Sequence, residues 1–466
     1  MSASHRVVII GSGFGGLFAA KNLGKAPVEV TVIARTAHHL FQPLLYQVAT
    51  GVLSEGEIAP ATREILRRQK NARVLLGDVT GIDLAAKTVT STSPLGTNTI
   101  PYDSLIVAAG AGQSYFGNDQ FADFAPGMKS IDDALELRGR IFGVFELAEL
   151  TEDPAMAQKL LTFVIIGAGP TGVEMAGQIA ELSRRTLQRD FRNIDPSQAR
   201  IVLLDAAPSV LGAFGPRLSK AARRRLEAMG VDVQLDLKVV DVDGEGVTVE
   251  DKAGNRQRID SYCKVWAAGV AASPLGRQLA EQSGAELDRA GRVKVQPDLT
   301  LPGHPEVFVV GDMATLNDYP GVAQVAMQGA KHAAKQITAR VEGQPADKPF
   351  KYFDKGNMAT VSRFYAVATI GPLRLKGFLA WLIWLVIHLV YLIGFKNRVT
   401  ALLHWAISFI GRGRSERTAT LQQVLGRRAL EKMRESDSNH WAGLGPFQRD
   451  LFDPSALEQP DVTRQN

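Results

Sequence analysis

The stretch "KLLTFVIIGAGPTGVEMAGQIAEL", residues 159–182, starts as an apolar run of β-formers, breaks at three glycines and continues as a helical pattern. Gly167, Gly169 and Gly172 stand at G-x-G-x-x-G spacing between that strand and that helix. In such a turn the first glycine makes the tight bend and the second lets backbone approach a pyrophosphate. The third permits close helix–strand packing. The positive end of the following helix then faces the phosphates.

One such match is weak evidence, but this chain has two. "HRVVIIGSGFGG", residues 5–16, places Gly11, Gly13 and Gly16 at the same spacing, with Phe14 and Gly15 inside the loop. A helix, "LFAAKNLGK", and a second strand, "VEVTVIA", complete a βαβ unit, which implies a parallel sheet covered by helices. The ends of the two units also echo each other. "YDSLIVAAGAG" (102–112) contains Gly110, and "YCKVWAAGVAA" (262–272) contains Gly269. The chain therefore carries an internal repeat. A later strand, "PEVFVVGDMA" (305–314), and the helix "VAQVAMQGAKHAAKQI" (322–337) most simply complete the first unit, with the second inserted. The expected fold class is α/β, with two Rossmann-like dinucleotide-binding domains and a C-terminal helical membrane-binding module. The expected division is 1–125 and 286–350 for the first domain, 126–285 for the second and 351–466 for the C-terminal region. A further helix over "TLQQVLGRRALEKMR" (420–434) and a disordered tail are expected last.

Two loops predict two dinucleotides. With 466 residues, two or three domains are expected. The single cysteine, Cys263, excludes an internal disulfide, a CxxC redox pair and a cysteine-ligated iron–sulfur cluster. Two nucleotides without redox cysteines call for a flavin and a nicotinamide, FAD and NADH, because the flavin can pass on electrons singly or in pairs. His38 and His39 are too bare a pair for a metal site. Before the first glycine loop there is no long apolar segment of the secretory kind, so the folded body is expected to face the cytoplasm. The net charge is +5, and nine Lys or Arg fall between Lys396 and Arg434. That basic tail lacks the aromatic reading surface of a nucleic-acid binder.

The strand end of each unit selects the nucleotide. Asp205 closes "IVLLD" and is followed by two alanines, a pattern that binds a ribose 2′-OH and repels a 2′-phosphate, favouring NADH. The first unit has Ala34 and Arg35 there, so its adenosine must be held by other contacts, with Arg35 reaching the nucleotide or simply solvated. Pro170 and Thr171 belong to the second loop. Asp312, after Gly311, is a candidate acceptor for a polyol chain or a helix cap. Glu174, just inside the second helix, faces the gap where nicotinamide and flavin meet, or merely complements the helix dipole.

A different physics governs "FLAWLIWLVIHLVYLIGF", residues 378–395, which lacks any Asp, Glu, Lys or Arg. As one helix it would be roughly 27 Å long, borderline for crossing a bilayer. Trp381, Trp384, His388 and Tyr391 share a face expected at headgroup depth, with Leu382, Val386, Leu389 and Ile393 beside it. Lys376, Lys396 and Arg398 flank the stretch and are expected to snorkel to phosphates. A helix lying on the membrane fits best, with 378–410 as the lipid-facing surface.

Taken together, "GSGFGGL", "HHLFQPLLYQVATG", "IIGAGPTGVEMAGQIAEL", "VVGDMA", "AQVAMQGAKHAA", "GNMATVSR" and "GFLAWLIWLVIHLVYLIGFKNR" resemble the type II NADH dehydrogenases, the single-subunit, non-proton-pumping NADH:quinone oxidoreductases. The likeness spans roughly residues 5–412. It implies bound FAD, NADH as donor, a membrane quinone as acceptor, a homodimer and a peripheral position on the cytoplasmic side of the inner membrane. By position it assigns Gly11, Gly13, Gly16, Gly311 and Asp312 to the flavin, and Gly167, Gly169, Gly172 and Asp205 to the nicotinamide nucleotide. It places Glu174 near the flavin, and Gln324 and Gln328 at the quinone side. The two glutamines are an i,i+4 pair whose amides could donate to a quinone carbonyl. The family commonly has an acid where this chain has Ala34. The competing readings are a soluble ferredoxin-type reductase, which leaves 378–395 unexplained, and a non-catalytic redox-sensing membrane protein.

Overall fold

The computed structural model describes residues 4–411, 413–414 and 416–418. The helix expected over 420–434 and the polar tail lie outside the described residues.

The strand of the first glycine unit, His5–Ile10, sits inside a six-stranded sheet ordered Thr300–Leu301, His304–Val309, Ser104–Val107, His5–Ile10, Val28–Ala34, Ala72–Leu76. All neighbours are parallel except the outermost pair, Thr300–Leu301 with His304–Val309. Val7, Val8, Ile9 and Ile10 are all buried, which is why the strand reads as an unbroken apolar run rather than an alternating one. Helices Phe14–Asn22 and Ala323–Val341 pack against each other on this sheet. The segment around 300–341 thus joins the sheet made by the first 107 residues.

The second unit repeats the plan with a four-stranded parallel sheet ordered Val231–Gln234, Arg200–Leu204, Thr162–Ile166, Cys263–Trp266. In each unit a three-stranded antiparallel ribbon precedes the echoed strand. The ribbons are Asp78–Asp83, Thr88–Ser93 and Gly96–Pro101 in the first, and Lys238–Val242, Gly246–Glu250 and Arg256–Asp260 in the second. After those strands, Ala111–Gln113 and Val270–Ala272 pair antiparallel, so the two echoed segments cross side by side.

The C-terminal region adds a three-stranded antiparallel sheet, Asn357–Ser362, Tyr365–Ile370 and Leu373–Gly377, then helices Phe378–Tyr391 and Phe395–Ile410. Strand Asn357–Ser362 lies on the helix that follows the second glycine loop. A Cβ on Gly177 would stand 1.9 Å from the Val361 carbonyl oxygen, so that approach requires glycine.

The apolar stretch differs from its expected form in two ways. It is not one helix: Tyr391 ends the first, Leu392 is extended, and Gly394 at φ +98° turns the chain into the second. Arg398 donates to the Leu392 and Val390 carbonyls at 2.7 and 2.9 Å, so its guanidinium caps the first helix end instead of reaching outward. The 14-residue helix is about 21 Å long. Among the described residues no helix is long and apolar enough to cross a membrane.

The second difference is which face looks out. Trp381, Trp384 and Trp405 are buried against the body, while Leu379, Leu382, Val386 and Val390 are exposed. Phe395, Leu402, Leu403, Ile407 and Ile410 extend that exposed surface on the second helix. The indoles fill space against the rest of the protein, Trp381 edge-on to Phe364 and Phe409, because an aromatic ring gains most where it is surrounded. Mostly aliphatic side chains, with Phe378 and Phe395, are left to form the outer face.

Candidate nucleotide and electron-transfer site

Both glycine loops are built alike. The N–H of Gly11 donates to the Ile33 carbonyl at 2.8 Å, and that of Gly167 to the Leu204 carbonyl at 2.7 Å. Gly11 and Gly167 have φ of +101° and +108°, and a Cβ on either would strike the end of the echoed strand, at 2.4 Å from the Ala108 oxygen and 2.7 Å from the Ala267 carbon. A Cβ on Gly16 or Gly172 would stand 1.8 Å from the carbonyl oxygen of the loop's own first glycine. Protein packing alone explains these four. The middle glycines are different: a Cβ on Gly13 or Gly169 meets nothing within 4 Å. Each of these residues caps a helix, and neither helix start has a side-chain cap. Open space in front of uncapped helix N–H groups is what a pyrophosphate fills.

Around the first loop, Gly15 packs tightly against Ala108 and Val310. The Phe14 ring sits edge-on to His39 and Phe41, and the His39 Nδ1 is 2.8 Å from the Ser12 carbonyl. The 38–47 segment therefore walls the loop. Gly110, at φ +70°, also faces open space. Gly269 does not, because the Phe116 ring covers it at 2.6 Å from a would-be Cβ. Arg35 is exposed and 3.9 Å from Asp78 at the rim. Asp312 is half-buried. Burial raises its pKa against the pull of the Lys129 ammonium, which faces it.

In the second loop Pro170 opens the helix, where its missing N–H costs nothing, with Thr171 half-buried beside it. Each Asp205 oxygen takes one backbone N–H, from Ala168 in the loop at 2.5 Å and from Ala207 at 2.8 Å. The carboxylate is thus fixed beside the loop with lone pairs to spare for a diol.

Glu174 is half-buried beside the C-terminal sheet and accepts the Thr360 N–H at 3.3 Å. Burial pushes its carboxyl up to about 8, against hydrogen bonds from the Thr360 backbone and side chain that favour the ionised form. About two turns on, Glu181 accepts the Arg363 N–H and is pushed up to about 7 by burial, held back by Arg414, Arg185 and Arg225. Arg414 is buried, donating to the Thr50 carbonyl at 2.6 Å and to Gln178 at 2.9 Å.

Gln324 and Gln328 do share a face, yet both are engaged. Gln324 donates to the Gly356 carbonyl at 2.7 Å and accepts the Lys355 N–H at 3.1 Å. Gln328 does the same with Phe353, at 2.9 and 3.0 Å. Each amide staples the segment leading into the C-terminal sheet, leaving one N–H to offer a ligand. Thr360, Tyr46, Lys129 and Arg414 were not singled out by the sequence. Tyr46 and Thr360 had a signal, their places in "HHLFQPLLYQ" and "GNMATVSR". Among the described residues no cluster of His, Cys, Asp and Glu could hold a metal ion.

Residues 5–330 match the family model described as pyridine nucleotide-disulphide oxidoreductase. The chain is 63% identical over 433 residues to the type II NADH:quinone oxidoreductase Ndh of Mycobacterium tuberculosis, covering 92% of this chain and 94% of that one. It is 61% identical over 435 residues to NdhA of the same organism, with 92% and 93% covered. Among solved structures, NDH2 from Plasmodium falciparum in complex with NADH superposes at a TM-score of 0.80, with 19% identity over 88% of this chain and 99% of that one. That likeness concerns the fold.

Proposed function

The chain belongs to the type II NADH:quinone oxidoreductase family, and from that premise we propose a division of labour among its residues. It is an enzyme that carries electrons from NADH through FAD to a membrane quinone, without pumping protons. When bound, the flavin supplies the chemistry the side chains lack: it takes a hydride and releases two electrons.

The first unit, 1–125 with 286–350, holds FAD. Gly13 leaves room for its pyrophosphate, Gly11, Phe14, Gly15, Gly16 and Gly110 shape that loop, and Gly311 and Asp312 receive the polyol side. Arg35 reaches the adenosine end, which no acid holds. The second unit, 126–285, holds NADH through Gly167, Gly169, Pro170, Thr171 and Gly172, with Asp205 on the ribose diol and Gly269 bordering the site under the Phe116 ring. Glu174 holds or releases a proton beside the reacting rings. A carboxyl held up at about 8 by burial changes charge within the working pH range. Gln324 and Gln328 place the 353–356 segment and offer one N–H each toward the quinone head. The exposed aliphatic surface of 378–410 rests on lipid, so the protein sits peripherally on the cytoplasmic side of the inner membrane. The homodimer rests on the resemblance alone.

The observation that carries this reading is the pair of cradles whose middle glycines face open space while the first and third glycines of each are locked by protein. The test is anaerobic: NADH should bleach the flavin spectrum of the purified protein, and added quinone should restore it. Bleaching reversed only by an iron–sulfur protein, or no turnover at all, would overturn it.

A further inference from the structure

The C-terminal helices reach the interior through one buried thread of polar groups. The Trp405 indole N–H donates to the Gln47 side-chain oxygen at 2.6 Å, and the Gln47 amide N–H donates to the Tyr46 hydroxyl at 3.0 Å. The Tyr46 hydroxyl lies 2.9 Å from the Thr360 hydroxyl. Thr360 in turn donates its N–H to a Glu174 carboxylate oxygen at 3.3 Å. All four intermediate residues are buried, with Trp405 and Gln47 each 1% exposed.

The direction of this thread is set at its head. An indole N–H can only donate, so it fixes the Gln47 amide with oxygen toward Trp405 and nitrogen toward Tyr46. Tyr46 then receives a proton from Gln47, and its own single proton goes to the Thr360 oxygen. The hydroxyl that ends the chain thus belongs to the residue whose N–H holds Glu174. Aligned hydrogen bonds of this kind polarise one another in a low-dielectric interior.

We infer that Trp405, Gln47, Tyr46 and Thr360 form a one-way donor chain that positions the Glu174 carboxylate, so that the seating of the second C-terminal helix is felt at that carboxylate. The inference rests on the reading of Glu174 as the proton-holding group. These four are positioning residues. Few charged groups face them. Tyr46 feels Glu174 itself, Glu181 on the same helix and Arg414 from beyond the second C-terminal helix. On that helix His404 pairs with Glu57 at 2.8 Å next to Trp405. The same helix presents Leu402, Leu403 and Ile407 outward, so one element carries both the exposed apolar face and the head of the chain.

The test uses the FAD-loaded, full-length protein. Its readouts are an infrared pH titration of the protonated carboxyl band and the pH profile of NADH:quinone turnover. Glu174→Gln identifies the band and the profile limb that belong to Glu174. Thr360→Val, which removes the hydroxyl that anchors this N–H donor to Tyr46, should move both to higher pH by about one unit, because a donor held on an ionised carboxylate favours it. Tyr46→Phe and Trp405→Phe, which only loosen the chain, should move them the same way by roughly half that. Thr360→Ser should restore the parent values. A simple packing role would lower turnover without moving either midpoint. If Glu174→Gln abolishes the titration while folded Thr360→Val and Tyr46→Phe leave it in place, the chain is refuted and Glu174 keeps its role. If Glu174→Gln leaves band and limb unchanged, the reading of Glu174 falls, and the chain with it.

Discussion

The two glycine loops are near-copies in backbone and differ at the strand end beside them. In both, a Cβ on the third glycine would stand 1.8 Å from the first glycine's carbonyl oxygen, and the middle one looks into open space. One unit then places Asp205 against the loop, bonded to Ala168. The other places buried Ala34 and the exposed Arg35. The lesson is that a dinucleotide fold separates two tasks. The loop holds a pyrophosphate by shape and backbone, which tolerates no variation, while the strand end chooses the nucleotide and is free to differ.

The sharpest way to break that parallel is to fill the squeezed positions. Gly16→Ala and Gly172→Ala should each cost about 3 kcal/mol or more, because the added carbon overlaps backbone that cannot give way. Their melting temperatures should fall steeply, and by similar amounts. The next largest effect belongs to the middle glycines. Gly13→Ala and Gly169→Ala meet no protein atom, so both proteins, compared free of FAD, should melt close to the FAD-free parent. Gly13→Ala should lose FAD during purification, and Gly169→Ala should raise the KM for NADH at least about tenfold. A large drop in melting temperature for the middle pair would show the cradles to be packing features.

Much of this was legible because it is local. Glycine spacing, the apolar strands of both units and the repeat "YDSLIVAAGAG"/"YCKVWAAGVAA" are short-range patterns with short-range causes. The C-terminal helices were legible as apolar but not as folded. Periodicity groups Trp381, Trp384 and His388 on one face without saying whether that face meets lipid or protein, and packing volume decided for protein. The break at Leu392–Gly394 was visible only as one glycine in an apolar run. The bonds that shape the site were invisible. Tyr46 meets Thr360 across 314 positions and Gln47 meets Trp405 across 358, separations at which no sequence pattern has a reading. The glutamine pair was found by spacing, and its engagement with residues 353–356 was not, because side-chain to backbone bonds leave no periodic trace.

Asp205→Ala addresses the strand end itself. Removing it deletes the proposed ribose acceptor and frees the Ala168 N–H, so the KM for NADH should rise about tenfold and discrimination against NADPH should narrow. Steady-state kinetics with both nucleotides checks this. An unchanged preference would make Asp205 a turn residue that braces the loop.

A smaller effect separates the helices behind the two loops, because only the second carries a buried acid. Glu174 is pushed up to about 8 and Glu181 to about 7, from ordinary values near 4.5. A carboxyl raised in the folded state favours folding most below its unfolded value, and that contribution is lost as pH rises through the folded one. Thermal stability should therefore decline between about pH 4.5 and 8 from this source. Glu174→Gln, which cannot titrate, should flatten that decline by a few degrees in melting scans across the window. A slope equal to the parent's would mean Glu174 ionises as freely as in the unfolded chain.

The smallest expected effect tests the other side of the comparison. Arg35 stands where the second unit has its selective acid, but it is exposed and only 3.9 Å from an equally exposed Asp78. Surface pairs of that kind contribute between nothing and about 1 kcal/mol. If the loop alone anchors the first nucleotide, Arg35→Ala should change FAD retention less than about threefold in equilibrium dialysis at moderate salt. A loss comparable to that in Gly13→Ala would mean that the guanidinium has taken over the adenosine end. The first unit would then hold its nucleotide by charge where the second uses hydrogen bonds, and raising the salt concentration should weaken FAD binding in the parent protein and leave NADH binding unmoved.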